Sequence, residues 1–174
     1  MANRVRELHP NATIAVFDKE DLIGRHASGR NSGVLHAGFY YSPDTLKAQL
    51  TRDGNQMLRD FYAHEGDAVK ITGKVVVTQN ESQIPALEEL HRRGNANGVS
   101  TELISAEQLA EFEPLARTVQ VALWSPNTAV ANPLAVTQVL AAKVVREGTV
   151  LKLGQKVTKA TDQRISTDFD NYII

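Results

Sequence analysis

The chain has 174 residues, 42% of them hydrophobic and 22% charged, with a net charge of −1 and no cysteine. These values fit an ordinary globular protein of one domain, or of pieces of two. They give no electrostatic reason for a nucleic acid or acidic membrane partner, and they exclude disulfides, thiolate metal sites and a cysteine nucleophile. The N-terminal residues contain no signal-peptide core, and no apolar run approaches the about 20 residues that span a bilayer. The expectation is a cytoplasmic protein with no membrane span.

Taken in chain order, polar residues 2–8, with Val5 and Leu8 one turn apart, predict the tail of a helix. "TIAVF", Thr13 to Phe17, is a short apolar run stopped by Asp18, Lys19 and Glu20. It predicts a strand covered on both faces, as in a parallel sheet. From Asp44 to about His64 the spacing of Leu46, Leu50, Met57, Leu58, Phe61 and Tyr62 predicts one apolar helical stripe, capped by Ser42 or Asp44 and ended by Gly66. "KVVVTQ" (74–79) predicts a strand. A helix from Ser82 to Arg93 follows, with Pro85 in its first turn and Gly94 as its stop. "STELI" and "VQVALW" predict strands on either side of a short helix, which a Ser105–Gln108 capping box opens and Pro114 closes. Asn132-Pro133 opens the clearest helix, which Gly148 closes, and "TVLKL" and "KVTKA" follow as strands. Helices and strands separated by so few residues predict a mixed α/β (α+β) fold. The last stretch, "TDQRISTDFDNYII", carries weak signals.

The segment "GRHASGRNSGVLHAG", 24–38, holds four glycines, two histidines and two arginines. It approaches the phosphate-loop spacing, but Arg30 and Asn31 replace the lysine and hydroxyl that nucleotide chemistry needs. His26 and His36, ten residues apart with Asp18 and Glu20 upstream, lack ligand spacing, so no metal site is expected. Ser32 is not in a nucleophile elbow. Small residues at Gly29, Ser32 and Gly33 let the backbone approach a ligand, and Arg30, Asn31 and His36 add donors and charge. A tight surface turn held by Asn31 and Gly33 is the competing reading.

The run "IAVFDKE … GRHASGRNSGVLHAGFYYSPDTLKAQLTRDGN", with the later "NTAVANPLAVTQVLAAKVVREGTVLKLGQKVTKA", resembles FAD-dependent oxidoreductases of the D-amino-acid oxidase superfamily. Within that superfamily it is most similar to the L-2-hydroxyglutarate oxidase and dehydrogenase branch. The resemblance implies FAD as cofactor and a small 2-hydroxyacid as substrate. It implies a partial FAD-binding, Rossmann-like sheet with helices from residues 1–41 and 129–174. Residues 42–128 would form part of an antiparallel substrate domain. It implies that Asp18, with Lys19 beside it, holds the adenosine ribose, and that Arg30, Asn31, Ser32 and Gly33 lie along the diphosphate and flavin. Val157 would meet the adenine through its backbone, and His36 would serve substrate or proton transfer.

The chain has no G-x-G-x-x-G. Members of the superfamily begin with a strand and that turn, which seats the diphosphate on a helix N-terminus. The expectation is a fragment lacking that strand and the C-terminal part. It would bind FAD weakly or not at all and would associate into a homodimer or higher oligomer. A non-catalytic remnant that self-associates is the alternative.

Overall fold

The computed structural model describes residues 1–65 and 69–173. In chain order the elements are α1 (Ala2–Leu8), β1 (Ala15–Phe17), β2 (Val34–Leu35), α2 (Leu46–Glu65), β3 (Val69–Ile71), β4 (Lys74–Val77), α3 (Ile84–Ala96), β5 (Glu102–Ser105), α4 (Ala106–Phe112), β6 (Val121–Ser125), β7 (Ala129–Ala131), α5 (Pro133–Arg146), β8 (Val150–Lys152), β9 (Val157–Ala160), β10 (Arg164–Thr167) and β11 (Asn171–Ile173). The fold is mixed α/β. It divides into two compact units, Met1–Ser32 with Asn132–Ile174, and Gly33–Ala131.

In the first unit β1 pairs with β8 in parallel, Val16 opposite Leu151. The strand at 13–17 and the strand at 149–153 therefore share one sheet, as the strand–helix–strand pattern requires. The crossover is α5. The Asn132 side chain accepts hydrogen bonds from the backbone N–H groups of Leu134 and Ala135, each at 3.1 Å, and Pro133 needs no partner in the first turn. The weak C-terminal stretch forms two more strands. β9, β10 and β11 make an antiparallel sheet, and the Tyr172 ring lies edge-on to Phe17 with centroids 4.9 Å apart.

The second unit is antiparallel throughout. One sheet has the order β2-β7-β3 and the other β4-β6-β5. The core gathers Ala37, Phe39, Leu87, Val99 and Leu123, with Ile104, Leu109 and Ala122 packed on the other side of β6. The capping box at Ser105 is present in both directions.

Three local expectations change. Thr45, not Ser42 or Asp44, caps α2, its hydroxyl accepting the Ala48 N–H at 3.2 Å. Gly94 does not stop α3 but lies inside it, because a side chain there would meet the Thr101 hydroxyl. Of the predicted α2 stripe, Tyr62 is buried as expected, but Leu46, Leu50 and Met57 are about 70% exposed, and Ala48 and Asn55 are the other buried residues, one every two turns. Residues 33–41 fall within the Gly33–Ala131 unit, where Val34 and Leu35 pair with Val130 and Ala129. The expected helix stop at Gly66 lies outside the described residues.

Gly73 supplies a test of the packing. Its φ is +67°, and an added Cβ would run into the Trp124 ring, which stacks on Phe112 at 4.3 Å. Gly73→Ala combines left-handed strain with displacement of that ring, so unfolding in urea should show a loss of about 3 kcal/mol. A change under about 0.5 kcal/mol would contradict this packing.

Candidate functional site

In the first unit, β1 ends at Asp18, whose carboxylate is exposed and accepts the Glu20 N–H at 3.0 Å. The Asp18 N–H donates to the Lys152 carbonyl at 3.1 Å and its carbonyl accepts the Gln155 N–H at 2.9 Å. These bonds fix the strand end against β8. Lys19 reaches Glu20 at 3.5 Å. Glu20 also meets His26 at 2.8 Å, and that hydrogen bond, above all, holds the Glu20 carboxyl below its ordinary pKa.

Asp18 lies at a cavity of about 420 Å³ whose walls include Val16, Leu140 and Val144, and the first residues of α1. One of those residues is Asn3. Its Oδ1 is buried and accepts no hydrogen bond among the described residues. An apolar wall, a carboxylate at a strand's C-terminal end and an unfilled acceptor suit a nucleoside, whose hydroxyl and amino groups are donors. Asp18, Asn3 and these walls therefore fit the adenosine end of a dinucleotide cofactor.

The 24–32 loop borders this cavity and a second of about 370 Å³ that includes Arg30. It is a tight turn and not the start of a helix. The N–H groups of Gly29 and Arg30 donate to the carbonyls of His26 and Ala27 at 3.1 and 3.3 Å. Asn31 donates through Nδ2 to Ala27 at 2.9 Å and to Ser28 at 3.4 Å, and Thr137 of α5 bonds the Ser28 carbonyl at 3.3 Å. Ser32 is exposed. Val157, on β9 opposite Thr167, is 43% exposed.

The second unit holds Gly33 and His36. The Gly33 carbonyl accepts the Ala131 N–H at 2.8 Å. His36 follows β2, with its ring edge-on to Tyr40 at 6.4 Å. Lys74, at the start of β4, lies over the Tyr40 ring at 4.8 Å. Partial desolvation, and then the charge of Lys74, hold the His36 pKa below its ordinary value of 6.5. A lowered folded-state pKa means that the unfolded chain binds this proton more tightly. The stability linked to His36 is therefore present above pH 6.5 and is lost as pH falls through 6.5 toward the lower folded value. At neutral pH the ring is an uncharged proton acceptor. A proton NMR titration should give a His36 midpoint below 6.5, raised part of the way back by Lys74→Met. A midpoint at or above 6.5 would contradict the assignment.

Sequence reading missed Asn55. Its Nδ2 donates to the carbonyls of Leu35, His36 and Asn127 at 3.0, 3.2 and 3.3 Å. An asparagine amid the apolar positions of a long helix was the available signal. Among the described residues no group of three or more acidic, histidine or cysteine side chains is placed to hold a metal, and no helix is long and apolar enough to cross a membrane.

The family model for FAD-dependent oxidoreductases (DAO) matches residues 5–170. The chain belongs to that family. It is 34% identical over 165 residues to L-2-hydroxyglutarate dehydrogenase of Indibacter alkaliphilus, covering 94% of this chain and 41% of the relative. It is 36% identical over 125 residues to the mitochondrial L-2-hydroxyglutarate dehydrogenase of Homo sapiens, covering 71% and 27%. The chain thus spans less than half the length of these relatives. Among solved structures it superposes on L-proline dehydrogenase from P. horikoshii with a TM-score of 0.84 at 19% identity, covering 99% of this chain and 46% of that one. It superposes on L-alpha-glycerophosphate oxidase from Mycoplasma pneumoniae, solved with FAD bound, with a TM-score of 0.79 at 22% identity, covering 90% and 43%. At these identities the structural likeness establishes the fold.

Proposed function

We propose that this member of the FAD-dependent oxidoreductase family carries the adenosine-holding and proton-accepting parts of an enzyme that oxidises a small 2-hydroxyacid of the L-2-hydroxyglutarate type. The observation that carries this reading is Asp18 at the C-terminal end of the parallel β1–β8 pair, beside a cavity that also holds the unfilled Asn3 acceptor. Asp18 accepts the ribose hydroxyls, with Lys19 beside it. The Val157 backbone meets the adenine. Arg30, Asn31, Ser32 and Gly33 serve the diphosphate and flavin end. When bound, FAD supplies the acceptor for the hydride of the hydroxyl-bearing carbon. An imidazole nitrogen of His36 takes the hydroxyl proton, and its depressed pKa keeps it unprotonated and ready at neutral pH. The lack of cysteine suits a reducing compartment, and the cytoplasm is the proposed location.

Titration of the chain with FAD, followed by flavin fluorescence, tests this reading. Binding should be weak, with Kd between about 10 μM and 1 mM, because no G-x-G-x-x-G is present to supply amides to the diphosphate. No binding at about 1 mM FAD would overturn it.

The second reading is a non-catalytic protein that self-associates as a homodimer or larger assembly. The exposed Leu46, Leu50 and Met57 on one side of α2 favour it. Light scattering that reports a monomer at high micromolar concentration would count against this reading.

A further inference from the structure

The Gly33–Ala131 unit contains a cavity of about 270 Å³ that no step above uses. It opens between α2, the turn after α3 at Gly98 and Val99, the turn before β7 at Asn127, and Ala37. The His36 side chain is not part of its lining.

Its charges are unequally matched. Two guanidinium groups, Arg52 and Arg59, face one carboxylate, Asp53. Arg52 takes that carboxylate, Nε to Oδ1 at 2.8 Å, and spends Nη1 on the Asn97 carbonyl at 3.1 Å. Arg59 has no carboxylate partner among the described residues, and its Nε is buried with no hydrogen bond. A buried guanidinium nitrogen without an acceptor is costly, and a small turn of the side chain toward an anion in the cavity would remove that cost. Asn55 also borders the space. Its Nδ2 is committed to three carbonyls, while its Oδ1 accepts nothing among the described residues. The lining therefore offers a planar fork for an oxyanion, and acceptors at Asn55 and Asp53 for a nearby donor.

We propose that this cavity is a binding site for a small carboxylate that also carries a hydroxyl or ammonium group, with Arg59 as its anchor. The His36 side chain is outside its lining, and its test is run without FAD.

Calorimetric titration of the chain with L-malate at low salt should show one site with Kd below about 1 mM. Arg59→Gln should weaken it at least about tenfold. Succinate, which lacks the hydroxyl, should bind several-fold more weakly than malate. In wild-type protein, malate should shift the backbone amide resonances of Ala37, Gly98 and Val99, a readout independent of whether Arg59→Gln folds. The absence of binding, equal affinity in a folded Arg59→Gln variant, succinate binding as tightly as malate, or shifts confined to other residues would each overturn the proposal. Failure of FAD to bind would overturn the flavin reading and leave this site standing.

Discussion

Replacing Asn55 with leucine should lower the stability of the Gly33–Ala131 unit by about 3 kcal/mol. The side chain is buried, and its single amide nitrogen serves the carbonyls of Leu35, His36 and Asn127. Those carbonyls come from two stretches far apart in sequence, the end of β2 and the turn before β7. Leucine keeps the volume and removes every donor, which leaves acceptors without partners in the interior, the costly half of a lost hydrogen bond. Urea denaturation with an unchanged slope should report the loss. Gln56→Leu is the control, because Gln56 is exposed and bonds only Asp60 among the described residues, at 2.7 Å. A loss below about 1 kcal/mol for Asn55→Leu would mean that the three bonds carry little of the unit's stability.

Asp18→Ala should weaken FAD binding by about tenfold to several hundredfold. A carboxylate that accepts both ribose hydroxyls makes two charge-assisted hydrogen bonds, each contributing about 1.5–3 kcal/mol before solvent exposure reduces it. Asp18 is exposed, so the lower end of that range applies. ADP-ribose shares the adenosine and should lose affinity in parallel, whereas riboflavin lacks it and should show no change. Asp18→Asn keeps the shape and loses the charge, and its affinity should fall between the two. Unchanged FAD affinity in Asp18→Ala would remove Asp18 from the cofactor site.

Short-range features were legible in the sequence because their physics is short-range. Asn132 caps α5 through N–H groups two and three residues ahead, and Ser105 and Gln108 close their box across one turn. Residue type and spacing alone fix such contacts. The family was also legible, because a long run of specific residues survives in one stretch. Glycine, by contrast, was misread at 94. A helix stop and a close packing contact ask for the same residue, and only Thr101 beside it shows which applies.

By itself, the sequence determined the mixed α/β class, the caps that open α4 and α5, the strand that leads into Asp18 and the family. Only the tertiary structure decided what each face meets. The apolar stripe of α2 predicted Tyr62 inside, and it is buried, but Leu46, Leu50 and Met57 are exposed and Asn55 is buried, because three carbonyls in need of a donor outweigh side-chain hydrophobicity there. The two- and three-residue strands β2, β3 and β7 have no periodicity to read. They exist because Ala129–Ala131 pairs on one side with Val34–Leu35 and on the other with Val69–Ile71. The Arg59 cavity is nonlocal in the same way, since its lining comes from segments dozens of residues apart that only folding brings together.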